Sequence, residues 1–415
     1  METGRQASAA RMEPGARPVL NTHVHLPPNF SAFASVEDAV RTAAAEGVRV
    51  MGASNFHDQQ IYGRFADEAH AEGILPLYGL EFITVVDNLR DAGTRVNDPG
   101  NPGRVYLCGK GVNPFAPPTA LAEEITGRAR SADTDRMRLM VPRLNAAFAD
   151  AGLDTALTDD NIAEDVADRA GVPRDWVVLQ ERHVAQAFQE VVFLALEAAR
   201  RPAFLARCFG GPTGVNVEDT VAVQGEIRSR LMKAGRPAFI PESPVSFDDA
   251  QRLILESDGI PCYPTLADGA SPVCPWEEPP ADLAVRVLER GIHAAELIPN
   301  RNQPAVVDAY VAAFREAGII VTAGTEHNTQ QRIPLEPRCA DGSRPSDAAW
   351  NVFFEGTCVI AAHQHLRSQG AAGYVDSEGH PNPGFPDAET RIRWFAELGA
   401  ELIAGRVGGA SEGKE

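Results

Sequence analysis

The sequence predicts an α/β fold, a distorted seven-stranded (β/α) barrel of the TIM-like kind carrying a helical insertion. Three observations point to it. Short apolar runs alternate with amphipathic helical stretches over residues 18–82, and the same alternation returns over 237–323. His25, His57, Glu81, Glu296 and Glu326 fall at or just past the C-terminal ends of the predicted strands, the rim where parallel barrels gather their reactive groups.

Residues 18–25 read as the first strand. Ser35 is expected to cap a helix running to Glu46, with Asp38 at its third position and Gly47 closing it. Residues 48–54 form the next strand, 64–72 a short helix ended by Gly73, and 74–82 the third strand. Later strands are expected at 237–240, 259–263, 292–298 and 318–323, separated by helices near 247–257, 281–290 and 305–317. Seven parallel strands make a closed or nearly closed barrel the economical arrangement. Residues 346–369 and 388–404 read as helices. The division that follows is a leader over 1–16, a barrel built from 17–82 and 236–370, a mainly helical insertion over 83–235, and a tail with its helix over 371–415.

Composition narrows the function classes. A chain of 415 residues that is 44% hydrophobic can bury a large core without staples. Its six cysteines lack CxxC or zinc-ribbon spacing, so they read as reduced, buried thiols. The net charge of −19 repels nucleic-acid backbones, while leaving room for a small anionic substrate held by local arginines. The first sixteen residues contain no apolar segment of a secretory signal, and no run approaches the roughly 18 apolar residues of a membrane span. A cytoplasmic protein without membrane contact is therefore expected, its oligomeric state unread. Gly210-Gly-Pro-Thr-Gly214 lacks the ending of a P-loop, and no GxGxxG follows the first strand.

The chemistry is concentrated in a few groups. His23 and His25 form an HxH pair on a strand, where residues i and i+2 share a face and can approach one cation. His363 and His365 have the same spacing in a predicted helix, where such residues diverge by about 200°, so that pair reads as structural. Glu81 follows an apolar strand, and an unpaired carboxylate buried there would be costly unless a cation satisfied it. Glu326 and His327, after the last strand, are further ligand candidates, against the plainer reading of an acid capping the next segment. His57 is a candidate ligand or acid/base group. Glu296 is a candidate base or a buttress for Arg301. Arg182 and Arg301 are candidates for gripping an anion, although surface arginines are common in a chain with three lysines.

The order of these motifs resembles the polymerase and histidinol phosphatase (PHP) superfamily of metal-dependent phosphoesterases. The resemblance rests on HxH, a histidine after the second strand, Gly-x-Glu after the third, Gly-Ile-Pro-x-x-Pro, and the late Gly-Thr-Glu-His, spread over residues 18–330. Val105-Tyr-Leu-Cys-Gly109 is similar to a His-x-Leu-Gly segment of its nucleoside-phosphate type. Glu181-Arg-His-Val-Ala185 is similar to that type's Arg-Pro-His-x-Ala segment, which adds His183 to Arg182 as a substrate-binding candidate. The resemblance implies a PHP-type barrel with up to three divalent ions. The first metal position keeps His23, His25, Glu81 and Glu326. The second loses two imidazoles, to Tyr106 and Tyr263, and the third is incomplete because Phe56 replaces an aspartate and His327 stands one place out of register.

One divalent ion, zinc, manganese or iron, is therefore expected. The expected function is hydrolysis of a small anionic metabolite, phosphoesterase-like, through a metal-activated water, with His57, Tyr106, Tyr263 and Glu296 as catalytic candidates. Two alternatives stand beside it: a mononuclear metal isomerase or lyase acting on a sugar-like substrate, and a degenerate barrel that binds a ligand without turnover. An amidohydrolase-type barrel also begins with HxH but commonly uses a strand-end lysine, and none of Lys110, Lys233 and Lys414 is expected in that place.

Overall fold

The computed structural model describes residues 18–57 and 59–409, with the backbone alone for 406–409. The expected leader, 1–16, lies outside the described residues. Six parallel strands and one antiparallel strand make a nearly closed barrel. In spatial order they are β1 (Val19–Val24), β2 (Val48–Phe56), β3 (Leu75–Val85), β4 (Arg104–Lys110), β6 (Ile260–Thr265), β7 (Ala294–Leu297) and β8 (Ile320–Ala323), while the two-residue β5 (Val245–Ser246) pairs with the end of β3. The seam between β8 and β1 is stitched by backbone bonds from Glu326 N–H to His23 O at 2.8 Å and from His25 N–H to Glu326 O at 2.8 Å.

Two expectations are corrected here. Residues 237–240 lie in turn and coil, and the seventh barrel strand is β4, inside a stretch read as helical. β4 runs antiparallel to both β3 and β6, pairing Glu81 with Cys108 and Gly79 with Lys110. Its alternation sends Tyr106, Cys108 and Lys110 to one face, the same face as Glu81. A strand whose inward residues are polar carries little apolar signal.

The helices around the barrel follow the expected caps. α1 (Val36–Ala45) begins at Ser35, whose side chain accepts from Asp38 N–H, and Gly47 leaves it with φ of 75°. α2 (Tyr62–Ala71) and the short α3 (Asp87–Asp91) follow. Then come α4 (Ala120–Asp150), α5 (Asp159–Ala170), α6 (Glu181–Ala195), α7 (Arg201–Phe209) and α8 (Thr220–Ile227), which enclose a second apolar cluster in which Phe148 packs on Phe188 and Phe204. The barrel resumes with α9 (Phe247–Glu256), α10 (Pro280–Glu289) and α11 (Pro304–Glu316), and α12 (Asp347–Ser368) and α13 (Ala388–Gly409) pack against each other beside it. His363, in α12, hydrogen-bonds Asp258 O and Tyr374 N–H, the structural role expected of it. All six cysteines are buried and free, and among the described residues no helix is long and apolar enough to cross a membrane.

One glycine positions the site directly. A Cβ on Gly324 would stand 2.3 Å from the His23 Cβ, so the approach of the β8 end to β1 requires a residue without a side chain. Gly324→Ala is expected to destabilise the fold by about 1–3 kcal/mol, as overpacked sites do. Urea denaturation measures it, and an unchanged midpoint would contradict this reading of the seam.

Candidate metal centre

β1 presents His23 and His25 into the barrel, and β3 brings Glu81 to meet them. The two Nε2 atoms are 3.4 Å apart, and Glu81 Oε2 lies 3.1 Å from His25 Nε2 and 3.7 Å from His23 Nε2. All three side chains are buried. A tetrahedral ion with bonds of about 2.1 Å holds its ligand atoms about 3.4 Å apart, which is the size of this triangle. Apart from its approach to the two imidazoles, Glu81 Oε2 meets no hydrogen-bond donor among the described residues, as expected of a donor atom that waits for a cation. Two imidazoles and one carboxylate therefore fit a divalent ion.

The electrostatics agree with that fit. Burial alone would raise the Glu81 carboxyl, but the His23 and His25 imidazoles hold it far below the ordinary carboxylate range. For His23, burial is the largest influence and lowers the imidazole, but the Glu296 charge together with hydrogen bonds to Glu296 and Glu81 raises the group to about 9. His25 stacks on Phe56 with ring centroids 5.2 Å apart, so packing holds that ring.

Beneath the triangle lies a group of residues that the sequence reading only partly found. Glu296 is wholly buried, and its Oε2 stands 2.5 Å from His23 Nδ1. Lys110 Nζ sits 2.5 Å from Glu296 Oε1 and also donates to Thr22 O and Ser54 Oγ. Glu296 is thus neither an exposed base nor the buttress of Arg301. Lys110 does stand at a strand end, contrary to expectation, but β4 is antiparallel and that end lies at the base of the barrel. The available signal was the two-residue period from Tyr106 through Cys108 to Lys110. Cys108 also approaches His23 and Glu296, but burial pushes its thiol well above the ordinary range, and Glu296 is already held by Lys110.

Several other candidates are placed elsewhere. Glu326 does not join the triangle: Arg301 grips its carboxylate with both guanidinium nitrogens, Nη1 to Oε1 at 2.7 Å, and Asn328 donates to it at 2.5 Å. His327 uses Nδ1 on Thr325 Oγ1 and Nε2 on Ile333 O, and stacks on Phe33. His57 turns outward to Asp133 of α4, 3.1 Å away. These three residues share one cause. Each has positive φ, 61° at Glu326, 50° at His327 and 53° at His57, so the chain leaves strand geometry there and the alternation of faces no longer applies. Tyr263 faces outward and donates to Glu277, while its neighbour Cys262 pairs with Cys108. His183 is drawn into the start of α6, accepting from Gln180 N–H and bonding to Pro28, and burial pushes it down to about 3.

Tyr106, Arg182, Arg301 and Glu326 interact electrostatically, and Glu81 lies within the field of Tyr106 and Arg301. Burial, then the Asp98 and Glu81 charges, hold the Tyr106 hydroxyl well above its ordinary range. Arg182 forms no hydrogen bond or ion pair with a described residue, and burial together with Arg228 and Arg301 lowers it to about 10. Its neighbour Glu181, by contrast, is held by Arg136, Arg228 and Lys233.

No family model and no curated protein matches the chain. Solved structures share its fold, two of them as follows. An amidohydrolase from Chromobacterium violaceum, with bound sulfate and no metal, aligns at 14% identity and a TM-score of 0.51 over 80% of this chain and 99% of its own. A structure from Bifidobacterium adolescentis assigned as a metal-dependent phosphoesterase aligns at 14% identity and a TM-score of 0.54 over 81% and 96%. At that identity the likeness is one of fold, a mixed α/β barrel.

Proposed function

We propose that the chain is a metal-dependent hydrolase of PHP type acting on a small anionic metabolite, with a phosphoester as the best-fitting substrate. The observation that carries this reading is the convergence of His23 Nε2, His25 Nε2 and Glu81 Oε2, with Arg182, which no described residue holds in a hydrogen bond or ion pair, in the field of the neighbouring Tyr106, Arg301 and Glu326. The two structural neighbours, one called an amidohydrolase and the other a metal-dependent phosphoesterase, add support for hydrolysis. A divalent ion held by His23, His25 and Glu81 supplies Lewis acidity and lowers the pKa of water.

The protein's own groups do the rest. Arg182 offers a free guanidinium fork to an anionic oxygen. Tyr106, kept protonated by its surroundings, would act as a hydrogen-bond donor to a substrate oxygen and not as a proton source. Arg301 and Glu326 neutralise each other, so among the described residues Arg182 is the cation of this group left to meet a substrate anion.

The test is release of inorganic phosphate from a panel of phosphomonoesters by zinc- or manganese-loaded protein. Arg182→Met is expected to raise KM by about 10–100-fold, the loss of one charged hydrogen-bonding partner. Turnover without Arg182 at unchanged KM would refute its role. A mononuclear isomerase or lyase acting on a sugar-like substrate is the second reading, favoured by a locus of three ligands that suits one ion. Consumption of substrate with no phosphate released would select it.

A further inference from the structure

The floor of the centre carries an assignment that rests on the metal reading above. We infer that Lys110 is a positioning residue for the centre: through Glu296 it holds the His23 imidazole with Nδ1–H directed down and the Nε2 lone pair directed at the ion. His23 Nδ1 and Glu296 Oε2 are 2.5 Å apart, and Lys110 Nζ stands 2.5 Å from Oε1 and 3.0 Å from Oε2. The three ammonium hydrogens have three acceptors, in Glu296, Thr22 O at 3.0 Å and Ser54 Oγ at 3.2 Å. Thr22 Oγ1 stands 3.2 Å from the same carboxylate and 3.0 Å from Ala323 O, and its one proton is shared between them. Glu296 therefore has no freedom to turn.

An imidazole can ligate through either nitrogen, and the group that accepts from the other nitrogen decides which. Among the described residues His25 has no such acceptor, since its Nδ1 is buried without a partner there and Phe56 holds the ring by stacking. The hydrogen-bonded lock within the HxH pair falls on His23. A purely structural ion pair explains less. Buried lysine–glutamate pairs are replaceable by apolar residues at little cost to folding, whereas an apolar pair accepts no hydrogen bond from His23. β4 is antiparallel, and that direction brings its last residue to the base of the barrel beneath β7.

The test compares wild type with the double variant Lys110→Met/Glu296→Leu and the single variant Glu296→Gln. Zinc affinity is read by chelator competition, and folding by circular dichroism and urea titration. The double variant is expected to fold and to hold zinc about 10–100-fold more weakly, the usual loss when a partner that orients a ligand is removed. A folded double variant with wild-type zinc affinity would overturn the assignment. Imidazole 15N spectra of zinc-loaded wild type give an answer that does not depend on any variant folding: the proton of His23 belongs on Nδ1, and ligation through Nδ1 would equally overturn it. Wild type that takes up no zinc would sink the metal reading itself, and this assignment with it, which is a different result from zinc bound with the lock absent.

Discussion

Replacing Glu81 with alanine is expected to take bound zinc from about one ion per chain to none retained through gel filtration, with hydrolysis lost in step. Glu81 supplies one of three donor atoms in a triangle with edges of 3.1–3.7 Å. Partners that only orient a ligand already cost about 10–100-fold in affinity, so loss of a ligand itself exceeds about 100-fold. Glu326→Ala is the contrasting variant. Its carboxylate is committed to Arg301 and Asn328, so zinc stoichiometry should stay unchanged. Metal analysis of both proteins separates the three-ligand centre from the four-ligand set that the motifs implied. A Glu81 variant that keeps its ion, or a Glu326 variant that loses it, would refute the geometry argued above.

Metal binding is expected to depend steeply on pH. The folded chain holds His23 at about 9, raised from 6.5, because the Glu296 charge and the hydrogen bonds to Glu296 and Glu81 together exceed the cost of burial. A raised imidazole stabilises the metal-free fold fully below 6.5, and that contribution is lost as pH rises through about 9. The ion needs the neutral imidazole, so proton competition at His23 should make apparent zinc affinity rise about tenfold per pH unit below about 9 and level off above it. Calorimetry near neutral pH, run in two buffers of different ionisation enthalpy, should report release of about one proton per ion. A flat affinity across this range would show that Glu296 does not hold the proton on His23 in the free protein.

Much of the fold was legible because local rules agree with one another there. Ser35 caps α1, Ser246 caps α9 and Ser346 caps α12, and the apolar periods between them match the helices found. β4 escaped notice because its inward residues are Tyr106, Cys108 and Lys110, which do not form an apolar stripe. Within the site, the approach of His23, His25 and Glu81 follows from the fact that all three lie in strand backbone, where faces alternate every second residue. Glu326, His327 and His57 were misplaced because each lies just past a strand in left-handed backbone, a conformation that residues of these types adopt only when the surrounding fold compels it.

Composition and spacing alone were enough for the class of architecture, the absence of a disulfide framework, and the HxH pair, because each depends on periodicity or residue chemistry over a short stretch. Which carboxylate faces those imidazoles is settled across the barrel. Arg301 draws Glu326 away, and the reversed direction of β4 sets Lys110 under Glu296. Both are contacts between residues far apart in the chain, and no local pattern encodes where two such side chains will meet.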